Sequence, residues 1–331
     1  MKWRIGLNIR KLSKHMITEI PKFKEYEEVG KDCLIQAYDN IFQIDSLQTE
    51  RTNRVDLWNY HQIVLRTAII LIHQGVESLL KSEIAKTSPL LLIDDKRKDW
   101  QTLPKNSDKQ FSELQTISGE DLIRTYSACK EGNINEKLLN HFNQIRIKRN
   151  KIIHGLGDGL LNPDEVLEFV LWSFTYILGK DSFWDSLLNK LYRHPGFDNG
   201  ELDYDWEVYS DFDRIEHLNL YLEKRILKHH FSTDITARPY LCPDCTEKGE
   251  MITEKGILKP ENKWTFLRPN EPSSTNVSCC VCLNEFEVIR EDCILPECKG
   301  NVKNLLEEGD EDEPDIWVCL TCWKEEDKNN G

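Results

Sequence analysis

The amino-acid sequence predicts a mainly α protein, in which a helical bundle is followed by a small β domain rich in cysteine. Apolar residues recur every three or four positions over long stretches up to about residue 235, as on one face of an α-helix. Beyond that point the pattern changes to pairs of cysteines and short stretches such as FEVI and WVCL. Apolar residues make up 39% of the chain, which is enough to bury a core.

Length and charge limit how the chain is organised. Its 331 residues exceed the usual size of a single core, so we expect an N-terminal arm (1–30), a helical bundle (31–235) and a cysteine-rich region (236–331). A net charge of −14 excludes a surface that attracts nucleic acid as a whole, so any such contact must be local. No segment has the roughly 18 apolar residues of a membrane span and no export leader is visible, which predicts a soluble, cytoplasmic protein without a membrane partner.

Start and stop signals place the helices in chain order. A first helix is expected over residues 31–48, and a long one from Asp56 to Lys86. The long helix carries apolar residues on more than one face, so neighbours must cover it, and we take it as the central helix of the bundle. Residues 87–110 are expected to form a surface loop. Further helices are predicted over residues 118–130, 135–155, 163–178, 182–193 and about 207–229.

Capping residues indicate where several of these helices begin and end. Ser118 and Asn135 are candidates for the N-cap position, and Gly155 is a candidate for the residue that ends a helix. Asn162 followed by Pro163 and two acids is a strong start signal, because Pro suits the first helical position and acids favour the positive helix end. The sequence therefore predicts three well-defined helix starts, and the segment between the second and the third carries the strongest functional signal.

That segment is RIKRNKIIHG, at the end of the helix that stops at Gly155. Helical geometry of about 100° per residue places Arg149 near the middle of the apolar stripe that faces the core. A guanidinium is costly to bury alone, so Arg149 needs a carboxylate partner or a wet cleft formed with another element or subunit. The segment holds four cations and no acid: Arg146, Lys148, Arg149 and Lys151.

The spacing within this segment bears on which side chains can act together. Asn150 and His154 are four residues apart and share one side of the helix, whereas Arg149 and His154 diverge by about 140°. An intact helix therefore cannot bring Arg149 against His154. They can act together if the helix unwinds at Gly155, or if two copies pack around a twofold axis and pool their residues, which predicts a homodimer.

Arg149, the polar Asn150 and, after four intervening residues, His154 resemble the motif of ribonucleases in the HEPN superfamily (higher eukaryotes and prokaryotes nucleotide-binding). The central helix, with ILIHQGVESLLKSEI, looks similar too. The resemblance covers residues 31–235 and implies a HEPN-like bundle of four or five helices. Position 156 is Leu, whereas the subfamily found with nucleotidyltransferase partners has Tyr there, which argues against that toxin and antitoxin arrangement.

The resemblance implies metal-independent cleavage of RNA, in which the ribose 2′-hydroxyl attacks the adjacent phosphate and leaves a 2′,3′-cyclic phosphate. It also implies a toxin-like or antiviral role, by analogy alone. The imidazole of His154 can exchange a proton, while Arg149 can donate to the charged phosphorane and Asn150 can orient the phosphate or His154. The implied catalytic residues are Arg149, Asn150 and His154, and the implied RNA-binding residues are Arg146, Lys148 and Lys151.

Other interpretations of the helical part stay open. His154 can be a helix-terminal cation that faces carbonyl groups, with Arg149 in a buried salt bridge, for instance to Glu77. The same cations can hold a nucleotide or RNA without catalysis, and the helix seam can be the dimer interface of a purely structural subunit. Five further histidines show no spacing that indicates a site, and we expect surface or core packing for them: His61, His73, His141, His229 and His230.

Nine of the eleven cysteines lie between residues 242 and 322, mostly in pairs. Tetrahedral zinc is bound by two such pairs that converge, and CCVCLNEFEV resembles the second knuckle of a zinc ribbon. One predicted set is Cys242, Cys245, Cys279 and Cys282. A second set is Cys293, Cys298, Cys319 and Cys322.

Closed four-thiolate sites are structural, so we expect one or two structural zinc ions and no cofactor for catalysis. Redox-active dithiols are the competing interpretation of the pairs. Cys280 is expected to be spare, although it can replace Cys279, and Cys33 and Cys129 are expected to be ordinary buried thiols. The cysteine-rich region is a candidate surface for a protein partner or for selecting RNA.

Overall fold

The computed structural model describes residues 17–48, 53–95, 109–130, 135–155, 159–192, 204–247, 263–310 and 313–328. In these ranges helices dominate up to residue 227, and short antiparallel strands follow in the C-terminal region. The predicted fold class, mainly α with a small C-terminal β region, is confirmed. Parts of the predicted arm and loop, and Leu156, lie outside the described residues.

The chain folds into two compact units. The first comprises Met1–Leu34 and Ile70–Leu156, and the second comprises Ile35–Ile69 and Gly157–Gly331. Two helices, α1 (Phe23–Asp45) and α3 (Gln62–Thr87), contribute residues to both units. The predicted division into arm, bundle and cysteine-rich region stays a prediction.

The first unit contains parts of α1 and α3 together with two further helices, α4 (Gly119–Cys129) and α5 (Glu136–Ile153). Strands β1 (Ile17–Thr18) and β2 (Lys109–Gln110) pair in parallel. Short 3-10 helices at Pro89–Leu92 and Phe111–Glu113 complete the described elements of this unit. Its fully or nearly buried apolar side chains include Ile72, Val76, Leu79, Leu122, Leu138, Phe142 and Ile145.

Within this unit α1 and α3 approach each other closely at two glycines. A β-carbon on Gly75 would lie 2.8 Å from Leu34 Cγ and 2.9 Å from the Gly30 carbonyl oxygen. A β-carbon on Gly30 would lie 2.7 Å from Leu79 Cγ. Contacts this short are not tolerated, so the crossing of the two helices requires glycine on both sides.

Helix α1 begins at Phe23, eight residues before the predicted start at 31, and ends at Asp45. The predicted helix start was wrong. Pro21 is not part of a loosely packed arm, but lies just ahead of the helix. The Glu25 carboxylate accepts a hydrogen bond of 2.8 Å from the backbone N–H of Lys22, which satisfies one of the free donors at the helix start.

The long helix predicted from Asp56 to Lys86 is interrupted. Helix α2 (Arg54–Tyr60) ends at His61, and α3 begins at Gln62. The Gln62 side chain donates to the carbonyls of Trp58 and Leu161, each at 3.0 Å, and accepts from the Leu161 N–H at 2.8 Å. The Gln62 side chain therefore occupies the Trp58 carbonyl, which would accept a backbone hydrogen bond in a continuous helix. The periodicity of apolar residues does not reveal this interruption.

The starts predicted for α4, α5 and α6 (Pro163–Ile177) are confirmed. Ser118, Asn135 and Asn162 occupy the three N-cap positions. The Asn135 side chain accepts from the backbone N–H of Lys137 at 2.9 Å, which caps α5. At its other end Gly155 has a φ of +68°, the left-handed conformation that ends a helix.

The second unit contains α2, α6 and three further helices, α7 (Ser182–Tyr192), α8 (Tyr204–Tyr221) and α9 (Lys224–Leu227). The single helix predicted over about 207–229 is therefore divided in two. The backbone turns at Glu223, the N-cap of α9, whose φ of −60° and ψ of 145° are extended instead of helical.

A buried polar cluster ties α1, α2 and α8 together in this unit. The Asp45 carboxylate accepts from the Tyr221 hydroxyl at 2.7 Å and from Arg54 Nε at 3.2 Å. His217 Nε2 lies 3.7 Å from Asp45 Oδ2. Burial lowers the pKa of His217 to about 4, against the opposing effect of Asp45, so the imidazole is neutral at pH 7. Trp58 Nε1 donates to the Tyr221 hydroxyl at 2.8 Å.

The C-terminal region holds two antiparallel sheets of three strands each. The strands of the first sheet are β3 (Thr265–Leu267), β4 (Asn276–Cys279) and β5 (Glu285–Glu287). The strands of the second are β6 (Lys303–Glu307), β7 (Asp315–Cys319) and β8 (Glu325–Lys328). In each sheet the middle strand ends on a cysteine, so that the turn leading to the last strand carries the second cysteine of a pair.

The two sheets share one apolar core, and an isolated backbone bridge joins Ile289 to Lys303. The first sheet is also anchored to the helices of its unit. Trp184 Nε1 of α7 donates to the Val281 carbonyl at 2.8 Å, and Trp264 Nε1 donates to Glu216 of α8 at 2.7 Å. The buried members of the shared core are Tyr240, Leu267, Val277, Val288, Val302, Val318 and Leu320.

Among the described helices, α3 is the one that is long and apolar enough to cross a membrane. Of its most apolar stretch, 56% is buried inside the structure. More than half of that stretch is packed inside the structure, as in the core helix of a globular domain, so its length and composition alone do not identify a membrane span.

The crossing of α1 and α3 predicts the effect of a small substitution. Gly75→Ala should lower the free energy of unfolding by about 1–3 kcal/mol, although Ala is the better helix former, because the new methyl group meets Leu34 and the Gly30 backbone. Urea denaturation followed by circular dichroism measures this difference. Gln74→Ala on the adjacent, exposed position serves as control and should change stability by less than about 0.5 kcal/mol. Equal stability of the Gly75 variant and the wild type would contradict the close approach.

Candidate functional site

The segment RIKRNKIIHG forms the last turns of α5 and the residues that follow it. The helix continues unbroken to Ile153, and His154 occupies the C-cap position with φ −81° and ψ 4°. Leu138, Phe142 and Ile145 are buried along the inner face of α5, as the sequence predicts. The implied catalytic and RNA-binding residues therefore lie at one helix end.

Arg149 lies half-buried on the face of α5 that continues the apolar stripe. Its Nη1 donates to the Asn150 side-chain oxygen at 2.9 Å. Within the described ranges no carboxylate lies close enough for an ion pair with this guanidinium, so the alternative salt bridge to Glu77 does not form there. The structure brings Arg149 and Asn150 together and leaves the positive charge of Arg149 without a described counter-ion.

His73 and Glu77 on α3 are functional candidates that the sequence interpretation missed. Their side chains are 10% and 13% exposed, and His73 Nε2 lies 3.8 Å from Glu77 Oε1. Glu77 Oε1 also accepts from the backbone N–H of Gly119, at 3.4 Å, at the positive end of α4. The signal was present in the sequence, since a His and a Glu four residues apart share one helix face.

Electrostatics links this pair to the cationic segment of α5. Burial lowers the pKa of His73, and the positive charges of Arg149 and Arg146 lower it further, while Glu77 opposes them. The His73 ring is stacked near Phe142 of α5, with ring centroids 6.3 Å apart. α3 and α5 thus place an imidazole with a lowered pKa within electrostatic reach of two guanidinium groups.

Arg146 is the second guanidinium of this cluster. Its Nη2 lies 3.6 Å from the Glu120 carboxylate and 3.5 Å from the Asn143 side-chain oxygen. Its Nε is buried and has no hydrogen-bond partner among the residues that the structure describes. A buried donor without a partner is costly, and an anion that approaches this cluster would relieve the cost.

His154 is exposed, and the two lysines of the segment are half-buried (Lys148) and exposed (Lys151). The His154 backbone N–H donates to the Asn150 carbonyl at 3.0 Å, which keeps the helical geometry up to this residue. Because α5 is intact, Arg149 and His154 point in directions about 140° apart, and one chain does not bring them together. The imidazole of His154 remains open to solvent.

The first predicted cysteine set converges at the end of β4 and in the turn that follows Leu241. Cys242 Sγ and Cys282 Sγ lie 3.6 Å apart, and all four sulfur atoms lie within 4.8 Å of one another. Three of the four cysteines are almost completely buried, and Cys282 is half-buried. The backbone N–H of Val281 donates to Cys279 Sγ at 3.3 Å, as in a metal-binding knuckle.

The second set converges in the same way at the end of β7. Cys293 Sγ lies 3.6 Å from Cys322 Sγ, and Cys298 Sγ lies 3.9 Å from Cys319 Sγ. The four sulfur atoms again lie within 4.8 Å of one another. Gly300 is packed so tightly that a β-carbon there would lie 2.6 Å from Cys319 Sγ, so glycine is required beside this cluster.

The sulfur geometry fits a bound metal ion in both sets. Four thiolates at about 2.3 Å from a tetrahedral ion are separated by about 3.8 Å, whereas a disulfide requires about 2.05 Å. The measured separations of 3.6 and 3.9 Å match the first value. The two groups of four cysteines can therefore each hold a metal ion, and they are the sets that the spacing predicts.

The three remaining cysteines lie outside these groups. Cys280 is buried beside Cys279, and burial raises the pKa of its thiol. Cys279, and not Cys280, belongs to the group of four, as predicted. Cys33 and Cys129 were expected to be buried, but both are half-buried.

Comparison with protein-family models, with curated proteins and with solved structures finds no match to this chain. The resemblance to the HEPN superfamily therefore rests on Arg149, Asn150, His154 and the helical pattern around them.

The thiol geometry predicts the metal content of the purified protein. The wild type should carry two bound metal ions, one for each group of four cysteines, as measured by plasma mass spectrometry after gel filtration. Cys245→Ser should remove one of them, because three thiolates no longer close the first site. Cys280→Ser is the matched control, and it should keep both ions. Loss of metal from the Cys280 variant, or a wild type without metal, would contradict the assignment.

Proposed function

We propose that the protein is a metal-independent RNA endonuclease of the HEPN type that acts as a homodimer in the cytoplasm. The observation that supports this proposal most directly is the state of Arg149. Its guanidinium is half-buried, it lacks an ion-pair partner in the described part of the chain, and it lies on the same helix end as the exposed His154. A phosphodiester would supply the missing negative charge.

The proposed reaction uses the 2′-hydroxyl of RNA as nucleophile. Its oxygen attacks the adjacent phosphorus, the bond from phosphorus to the 5′ oxygen breaks, and the products are a 2′,3′-cyclic phosphate and a 5′-hydroxyl. His154 exchanges a proton with the attacking or leaving oxygen, because an exposed imidazole can both accept and donate a proton. The Arg149 guanidinium donates to the non-bridging oxygens, whose charge increases in the transition state.

Asn150 has a positioning part in this proposal. Its side-chain oxygen accepts from Arg149 Nη1 and so fixes the guanidinium plane. The other cations of the segment, Arg146, Lys148 and Lys151, would hold the RNA backbone on either side. The net charge of −14 makes such a local group of cations necessary for any contact with nucleic acid.

The geometry of α5 supports the proposed homodimer. Since Arg149 and His154 diverge by about 140° on an intact helix, an active site that uses both needs a second chain. A twofold axis near the end of α5 would place Arg149 of one copy opposite His154 of the other, and it would form two equivalent sites. Single-stranded RNA is the expected substrate, because its backbone is accessible to such a cleft.

Zinc is the metal that we propose for the two cysteine groups. Four thiolates in tetrahedral arrangement select this soft, redox-inert ion, and a closed set of four protein ligands leaves no position for a substrate. The ions would hold the short strands in place, and catalysis would not involve them. The surface of this region is then available for a protein partner or for selecting RNA.

A second candidate function is a non-catalytic module that binds RNA or a nucleotide. The unpartnered Nε of Arg146 and the charge of Arg149 favour it, because both are satisfied by a bound phosphate without any proton transfer. In that case Arg149 matters for binding and His154 does not.

Cleavage of cellular RNA separates the two functions. With EDTA added just before the RNA, the wild type should produce fragments that end in cyclic phosphates, and Arg149→Ala and His154→Ala should each lower the rate by at least about a hundredfold. Mass spectrometry of the fragment ends identifies the products, and gel electrophoresis gives the rate. Lys137→Ala, in the first turn of the same helix, is the matched control and should cleave like the wild type.

If the protein does not cleave RNA, measurements of RNA binding distinguish the two proposed functions. If the wild type leaves RNA intact, while His154→Ala still binds it and Arg149→Ala does not, the binding module is correct and the enzyme is not. If no variant differs from the wild type in either cleavage or binding, both functions are contradicted.

A further inference from the structure

The two groups of four cysteines differ in how far solvent reaches their sulfur atoms. In the first group Cys242, Cys245 and Cys279 are 3%, 2% and 1% exposed, and Cys282 is half-buried. In the second group Cys322 is exposed, Cys293 and Cys298 are half-buried, and only Cys319 is buried. An oxidant dissolved in water therefore reaches the second group more easily than the first.

We propose that Cys293 and Cys322 form a peroxide-sensitive modification site, in which oxidation to a disulfide opens the second metal site while the first stays closed. Their sulfur atoms lie 3.6 Å apart, the shortest separation given by the structure in the second group. The Sγ of Cys298 lies 3.9 Å from that of the buried Cys319. The pair that combines proximity with exposure is thus Cys293 with Cys322.

The oxidation takes place in two steps with hydrogen peroxide as the oxidant. The Cys322 thiolate attacks one peroxide oxygen, a sulfur–oxygen bond forms, the oxygen–oxygen bond breaks, and the departing hydroxide takes a proton to become water. The Cys293 thiolate then attacks the resulting sulfenic sulfur, the disulfide forms, and the second hydroxide leaves as water. Two thiolates lose one electron each, and peroxide gains two.

The sulfur atoms need to move only a short way for this bond to form. They must approach from 3.6 Å to about 2.05 Å. Cys322 lies in the turn between β7 and β8, and Cys293 lies in the irregular segment that precedes β6, so neither sits inside a strand. After the reaction only Cys298 and Cys319 keep free thiolates, which is too few for a closed tetrahedral site.

The first group is protected by its position in the fold. Val281, between Cys279 and Cys282, has its carbonyl bound by Trp184 Nε1, so the knuckle is held against α7. Leu241, next to Cys242, donates its backbone N–H to the Leu320 carbonyl at 2.8 Å. These contacts hold the segments that carry Cys242 and Cys279, which are 3% and 1% exposed, whereas Cys322 is exposed.

Metal release and disulfide mapping test this proposal on the full-length protein, whatever its activity toward RNA. The metal-loaded protein is treated with hydrogen peroxide in the presence of the chromogenic chelator 4-(2-pyridylazo)resorcinol, and parallel samples are alkylated and digested for mass spectrometry. One of the two metal equivalents should appear at least about tenfold faster than the other, together with a peptide pair linked through Cys293 and Cys322.

Two matched variants keep the test independent of folding defects, because histidine can replace a thiolate as a metal ligand. Cys322→His should retain the metal and slow the fast release at least about tenfold, since it cannot form the disulfide. Cys282→His changes the half-buried ligand of the first group and should leave the fast release unchanged. Release of both equivalents at one rate, a first disulfide within the other group, or fast release from the Cys322 variant would overturn the proposal.

Discussion

The charge of Arg149, for which the described residues supply no counter-ion, is the feature on which the functional interpretation depends. A guanidinium that is half-buried on the inner face of α5 is costly unless it is paired, and Glu77 of the central helix is instead engaged by His73 and by the start of α4. Arg146 adds a second positive charge with a buried, unsatisfied Nε. An anion would complete this cluster, and we propose that the anion is a phosphodiester.

Much of the fold could be predicted, because helix starts are local events. The Asn135 side chain caps α5 through a backbone group two residues away, and Asn162 occupies the N-cap position of α6 directly before Pro163. The interruption at His61 could not be predicted, because it depends on Gln62 binding a carbonyl of Leu161, ninety-nine residues away. The close approach of α1 and α3 likewise becomes visible only when Gly30 and Gly75 are placed opposite each other.

The candidate sites, too, could be predicted from the sequence only in part. Metal-ligand sets follow from the spacing of cysteines, so the eight residues could be named from the sequence and the structure brings them together. Their unequal exposure could not be named, because it arises from the packing of the first sheet against α7 and α8. The pairing of His73 with Glu77 could have been predicted from their spacing of four residues. Its electrostatic interaction with the cations of α5 became visible only in the structure, where the helices are packed.

A complementation experiment tests directly whether Arg149 and His154 act across two chains. Arg149→Ala and His154→Ala proteins, each inactive alone, are mixed in equal amounts, allowed to exchange subunits and assayed on single-stranded RNA. Half of the dimers then contain one intact composite site, so the mixture should recover about a quarter of the wild-type rate. If the mixture stays as inactive as either variant, although native mass spectrometry shows mixed dimers, the two residues do not share a site.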